Sequence, residues 1–292
     1  MNPFKIWLLA IRPKTLWAAI SPVMIGSAMA FADGEFHALY AGLALLAAVL
    51  IQIGTNLAND YFDFKKGADT AERIGPVRVT QAGLVKPQTM KRAVIIVFLL
   101  VALISIFLFF RGGWPIAVIA VFSILSGIFY TAGPFPLGYA GLGDLFVFIF
   151  FGPVAVGGTY YIQTLDINPL VLIAGLAPGL LSMAILTVNN IRDLESDRSA
   201  GKKTLAVRFG RSLAMAEYFY AIALSSFIPV ILFFVTEDYP ASLLSSVILL
   251  LSYPSVKTVF IKTDGPSLNH ALAATGKLLL IYSLIFAIGW ML

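Results

Sequence analysis

Long apolar runs follow one another along almost the whole chain, each of the roughly 17 to 25 residues that a helix needs to cross a bilayer. They cover approximately 16–32, 39–57, 93–110, 114–131, 145–162, 169–188, 214–235, 241–259 and 271–291. An all-α polytopic membrane protein of about nine transmembrane helices is expected. Composition agrees, because 59% of the 292 residues are hydrophobic and only 12% are charged, whereas soluble domains carry about a quarter charged residues.

Basic residues test the span count, since a wrong number would scatter them over both faces. Lys5, Arg12 and Lys14 precede the first span, and Lys65, Lys66, Arg73, Arg78, Lys86, Lys91 and Arg92 follow the second. Arg192, Arg198, Lys202, Lys203, Arg208 and Arg211 follow the sixth, and Lys257, Lys262 and Lys277 lie around the last connection. Every basic residue but Arg111 thus falls on one face, opposite Asp33, Glu35, Asp166, Glu237 and Asp238. The N-terminus and this face are expected in the cytoplasm and the C-terminus outside. The net charge of +5 is then a topology signal, and nucleic-acid binding is not needed to explain it.

The chain has no cysteine, which excludes disulfides and thiolate metal sites. Residues 1–15, with Phe4, Ile6, Trp7, Leu8 and Ile11 among Lys5, Arg12 and Lys14, read as an interfacial helix. They lack the apolar core of a signal peptide. One membrane domain over 1–292 is the simplest organisation, with long polar connections on the basic face at about 60–92, 131–144 and 191–213.

Two polar strings begin where apolar runs end. The first is Asn56-Leu-Ala-Asn59-Asp60-Tyr-Phe-Asp63-Phe-Lys65-Lys66-Gly67-Ala-Asp69, and the second Asn189-Asn190-Ile-Arg192-Asp193-Leu-Glu195-Ser-Asp197-Arg198. Both contain Asn-x-x-x-Asp, a spacing that puts Asn56 with Asp60, and Asn189 with Asp193, on one helix face. Their equivalent positions, four helices apart, suggest a weak internal repeat. The 131–144 connection is rich in Gly and Pro and has no charge before Asp144. It reads either as a tight turn or as a wall of the site, with Tyr130 and Asp144 facing a cavity.

Carboxylates and amide oxygens without His or Cys form a hard-ligand set, suited to Mg²⁺ or Mn²⁺. Mg²⁺ is commonly held by one or two carboxylates, waters and substrate phosphates, so two acidic strings imply a phosphorylated ligand between them. Lys66, Arg73, Arg78, Arg192, Lys202 and Lys203 would neutralise its remaining charge. A diphosphate head on a long hydrocarbon tail, such as a polyprenyl diphosphate, suits a site that opens to lipid. Ionisation of its allylic C–O bond would give a carbocation, protected from water by the spans.

These strings, with Arg12-Pro13-Lys14-Thr15-Leu16, Arg73-Ile-Gly75-Pro76-Val-Arg78, Gly141-Leu-Gly143-Asp144 and Gly201-Lys202-Lys203-Thr204-Leu205, resemble those of the UbiA superfamily of intramembrane prenyltransferases over nearly the whole chain. The resemblance implies nine helices around a central cavity open to the cytoplasmic side and to lipid. Within the superfamily the strings are most similar to those of the branch that prenylates 1,4-dihydroxy-2-naphthoate. That implies polyprenyl transfer to the naphthoate ring with loss of its carboxylate, giving demethylmenaquinone after oxidation, in the inner membrane of a bacterium. By match to the motifs, Asn56, Asp60 and Asp63 would hold one Mg²⁺, and Asp193 and Asp197, with Asn189, the other. Asp69 joins the first set, offset from the family's four-residue spacing. Lys66, Arg78 and Lys202 would contact diphosphate, with Arg192 and Lys203 beside them, and Tyr130 would steady the allylic cation. Asp144 would assist deprotonation of the acceptor, and Arg12, Lys14 and Gln52 would bind it.

Other acceptors, including 4-hydroxybenzoate, homogentisate and a haem vinyl group, fit the same chemistry. An ion-coupled transporter would place charge near the bilayer midplane, where these spans are apolar. An alcohol phosphatidyltransferase would gather its acids in one motif. Lipid-facing and partner-facing helix surfaces read alike, so the sequence implies no oligomeric state.

Overall fold

The computed structural model describes residues 1–67, 75 and 77–292. Asp69 and Arg73, singled out in the sequence, lie outside the described residues. The elements are helical: α1 (Pro3–Ile11), α2 (Trp17–Ala32), α3 (Ala38–Lys66), α4 (Pro87–Phe129), α5 (Leu137–Ala140), α6 (Gly143–Phe150) and α7 (Pro153–Thr164). They continue with α8 (Pro169–Arg192), α9 (Leu194–Ser199), α10 (Leu205–Thr236), α11 (Ile248–Leu251), α12 (Tyr253–Ile261) and α13 (Gly265–Met291). Short 3₁₀ turns occupy Pro13–Thr15 and Pro240–Val247.

Among the described residues, seven helical segments are long and apolar enough to cross a membrane, and the pair Pro3–Thr15 with Trp17–Ala32, bent by 51°, adds an eighth. α4 accounts for the ninth. A straight helix of its 43 residues would reach about 65 Å, twice the hydrocarbon thickness. Instead Gly113 leaves helical geometry at φ 64°, ψ −153°, a conformation open to glycine. The chain doubles back there, for a Cβ on Gly127 would sit 3.4 Å from the Phe98 ring. α4 is therefore a hairpin of two spans, as the sequence expects.

A second break falls between α6 and α7. A Cβ on Gly152 would lie 2.7 Å from the Gly175 carbonyl oxygen and 2.9 Å from the Gly179 Cα, so bare backbone on α8 admits the broken span at close range.

The main core is shared by α2, α7, α8, α10 and α13, with Ile25, Val156, Leu181, Tyr218 and Phe286 almost wholly buried. A separate cluster joins α1, α3 and α4 through Ala10, Leu57, Ala58 and Phe98. Val79 and Val85, on the connection after α3, belong to that cluster, so the described stretch around them folds back against the helix that precedes it.

One boundary differs from the sequence reading. The first polar connection was expected from residue 60, but α3 stays helical to Lys66, where Gly67 ends it at φ 67°. At 29 residues it is about 43 Å long and outreaches the apolar slab. The first polar string, as far as Lys66, is thus an extension of a span.

Candidate active site

A cavity of about 350 Å³ runs along the inside of the bundle. Asn56, Asn59 and Asp63 of α3, Arg78, Tyr130 and Tyr139, Asn189, Asn190, Asp193 and Asp197 of the second string, and Lys202 after it line one end. Ala47, Ile51, Leu108, Ile116, Ile119, Phe146, Phe150 and Ile162 line the rest. The two strings, more than a hundred residues apart, meet across one space.

Tyr139 joins them. Its hydroxyl donates to Asp63 Oδ1 at 2.8 Å, and its backbone carbonyl accepts from Lys203 N at 2.8 Å. Lys66 Nζ stands 4.6 Å and Lys202 Nζ 5.1 Å from its ring centroid. One aromatic ring therefore gathers two ammonium groups by cation–π attraction. Two like charges collected at a cavity mouth make a site for an anion.

Each cavity acid is balanced by a cation. Arg78 Nη2 donates to Asp63 Oδ2 at 2.8 Å, with both side chains buried. Asp193 receives Arg192 Nε at 2.7 Å and Nη2 at 2.6 Å, the two-point geometry that a guanidinium favours. The same Arg192 reaches Asn189 Oδ1 and, from α13, Asn269 Oδ1, each at 2.6 Å. Asp197 is paired with Lys202 at 2.9 Å.

Asp60 behaves differently. Its two oxygens accept the backbone N–H groups of Val79 and Thr80, both at 3.0 Å, and the residue is only 1% exposed. It braces the connection that carries Arg78 and does not line the cavity. The expectation that the Asn56/Asp60 face as a whole points at the ligand is corrected: Asn56 lines the cavity, and Asp63, one turn past Asp60, supplies the acid.

The other expected residues divide in the same way. Tyr130 is in the wall, its ring held against Gly138 and its hydroxyl against Gly143, at each of which a Cβ would come within 2.9 Å. Asp144 is buried behind it, 3.5 Å from Asn190 Nδ2. Arg12, at φ 56°, and Gln52 line the cavity. Gln52 Nε2 donates to Thr15 Oγ1 at 3.2 Å, and Asn56 Nδ2 donates to the same oxygen at 3.0 Å and to Ile11 O at 2.9 Å. Lys14 and Lys203 are exposed and outside the wall. Lys66 donates to Thr131 O at 2.6 Å, and Thr131 Oγ1 donates to Asn59 Oδ1.

Tyr139, Thr131, Asn190 and Asn269 carry part of this geometry without having been assigned to the site from the sequence. The unusual Gly and Pro content of the 131–144 connection pointed to the right segment, but an uncharged tyrosine in it gave no separate signal.

A helical membrane bundle with an acid- and base-lined cavity of this kind is the architecture of an intramembrane enzyme. The UbiA prenyltransferase family model matches residues 19–278, and the chain belongs to that family. It is 38% identical to the 1,4-dihydroxy-2-naphthoate octaprenyltransferase of Escherichia coli, over 97% of this chain and 94% of the relative. It is 37% identical to the protein of the same name from Mycobacterium tuberculosis, over 98% and 97%. Among solved structures, a UbiA homolog from Archaeoglobus fulgidus bound to DMAPP and Mg²⁺ superimposes with a TM-score of 0.67 at 14% identity, over 97% of this chain and 99% of that one. The last likeness is one of fold.

Proposed function

We propose that this protein transfers a polyprenyl group from a polyprenyl diphosphate to 1,4-dihydroxy-2-naphthoate with loss of the ring carboxylate, the prenylation step of menaquinone formation. The carrying observation is a cavity that has carboxylates, amides and cations at one end and apolar walls elsewhere. The choice of acceptor is supported by the two naphthoate-prenylating relatives.

The donor set suits a hard divalent cation, since the cavity offers carboxylate and amide oxygens and no His. Among the described residues no three acidic or His side chains converge on a point, so an ion here would take water and phosphate oxygens as further ligands. Mg²⁺, as two ions or with Mn²⁺ in its place, would be held by Asn56 and Asp63 on one side and by Asn189, Asp193 and Asp197 on the other, neutralising the departing diphosphate. Asp60 would join that set through the lone pairs that Val79 and Thr80 leave open.

Lys66, Arg78 and Lys202 receive the diphosphate, with Lys203 at the rim, while Arg192 holds Asn189 and Asp193 in position. The allylic C–O bond breaks with its electron pair passing to the diphosphate oxygen. Tyr130 presents its π face to the resulting cation, and Phe146, Phe150 and the neighbouring aliphatic walls exclude water. The ring carbon that bears the carboxylate captures the cation, and carbon dioxide leaves its electron pair to restore the aromatic ring. Arg12 and Gln52 orient the acceptor carboxylate and hydroxyl, with exposed Lys14 beside them at the rim, and Asp144 acts through Asn190.

The chain works as one membrane domain, with α1 lying in the interface. The N-terminus and cavity mouth face the cytoplasm of a bacterial inner membrane and the C-terminus lies outside, a reading supported by the one-sided distribution of Lys and Arg. Membranes containing the protein are to be given radiolabelled polyprenyl diphosphate with 1,4-dihydroxy-2-naphthoate or 4-hydroxybenzoate, with Mg²⁺ or EDTA. Mg²⁺-dependent product from the naphthoate alone is expected. Product from 4-hydroxybenzoate alone would move the acceptor, and none from either would overturn the reading.

A further inference from the structure

α13 presents different chemistry on two faces. On one, Asn269 accepts from Arg192 and Leu272 lines the reaction cavity. On the other, His270, Ala274, Lys277 and Ile281 follow at helical spacing and, with Leu251 and Pro254, line a groove of about 260 Å³ between α11–α12 and α13. His270 and Lys277 are exposed, and among the described residues neither makes an ion pair or a side-chain hydrogen bond. The reaction scheme uses neither.

The depth of Lys277 follows from its neighbour. A Cβ on Gly276 would lie 3.2 Å from the Lys14 carbonyl oxygen and 3.6 Å from Trp17 Cδ1. Lys277 is therefore level with the turn where α1 passes into α2, and Lys and Trp at that turn mark a headgroup layer. A cation on the lipid-facing side of a span is costly unless it meets headgroups or a counter-charge. Past Lys277 the groove becomes apolar, with Leu251 47% and Ile281 37% exposed. Anion-binding groups at headgroup depth, followed inward by an apolar trough, reproduce the polarity of one phospholipid.

We propose that this groove binds an anionic phospholipid, with Lys277 and His270 on the phosphodiester and the start of an acyl chain against Leu251 and Ile281. The test is native mass spectrometry of the full-length protein in detergent, titrated with phosphatidylglycerol, phosphatidylcholine or inorganic phosphate. The tightest phosphatidylglycerol adduct is expected to weaken about fivefold in Lys277→Gln, the effect of one basic residue near a charged surface. Lys277→Arg should keep it, and Ala274→Leu, which fills the groove without changing charge, should remove it. Should Lys277→Gln fail to fold, the last two variants decide. Equal binding of phosphatidylcholine, displacement of the lipid by inorganic phosphate, or an unchanged adduct in Ala274→Leu would overturn the proposal. So would a dimer that Lys277→Gln dissociates, since that would make the groove a contact between two copies of the chain.

Discussion

The two polar strings start from the same Asn-x-x-x-Asp pattern and end in different jobs. In the second, Asn189, Asp193 and Asp197 all line the cavity, because α8 stops at Arg192 and the short α9 turns Asp197 back toward it. In the first, α3 continues as one helix through Lys66, so Asp60 and Asp63, three residues apart, are neighbours set only about 60° apart around its axis. Asp63 faces the cavity, and Asp60 faces the folded-back connection, where it holds two backbone N–H groups. A repeated pattern gave a repeated composition without a repeated geometry.

That contrast can be broken by substitution. The largest effect is expected for Asp63→Ala: a loss of turnover of about 10²- to 10³-fold, the scale of removing one preorganised electrostatic contact. A stability loss of about 3–5 kcal/mol should accompany it, because Arg78 keeps a buried charge. Initial rates and thermal unfolding in detergent measure both. Asp197→Ala should lower turnover to a similar extent with a smaller loss of stability, since its partner Lys202 has a 17% exposed side chain. Equal destabilisation by the two would erase the difference between the strings.

Asp60→Asn comes next. It leaves one of two backbone donors without its acceptor and should cost about 1–3 kcal/mol, while the rate per folded molecule falls less than in Asp63→Ala. Unchanged stability with a rate as low as that of Asp63→Ala would instead make Asp60 a cavity acid. The smallest effect belongs to Tyr139→Phe, which keeps the ring between Lys66 and Lys202 but removes the hydrogen bond to Asp63. About 0.5–1.5 kcal/mol is expected, read as a few-fold rise in KM for polyprenyl diphosphate with kcat nearly unchanged. A selective fall in kcat would show that the hydroxyl touches the reacting atoms.

Much of this protein was legible in one dimension. Run lengths gave the spans, including the two arms of α4, because bilayer thickness fixes how many apolar residues a crossing needs. The basic residues other than Arg111 cluster beside the ends of the same alternate spans, and the oxygen-rich strings pointed to a hard cation and a phosphorylated substrate before any contact was known. Asn56, Asp63, Arg78, Asp193, Asp197 and Lys202 do converge, since each lies at or near one of those span ends.

What the sequence could not decide is which way each side chain turns. A helix face is defined only relative to its neighbours, and Asp60 meets Val79 and Thr80 because Val79 and Val85 bury against Leu57 and Ala58, a packing choice made by residues far along the chain. Tyr139 carries no charge and belongs to no string, and it acquires importance only because folding brings Asp63, Lys66 and Lys202 to it. Composition and spacing determined the solvent, the helical architecture and the kind of chemistry. Tertiary packing determined which acids reach the cavity and which brace it, because orientation about a helix axis is set by the surfaces that bury against it.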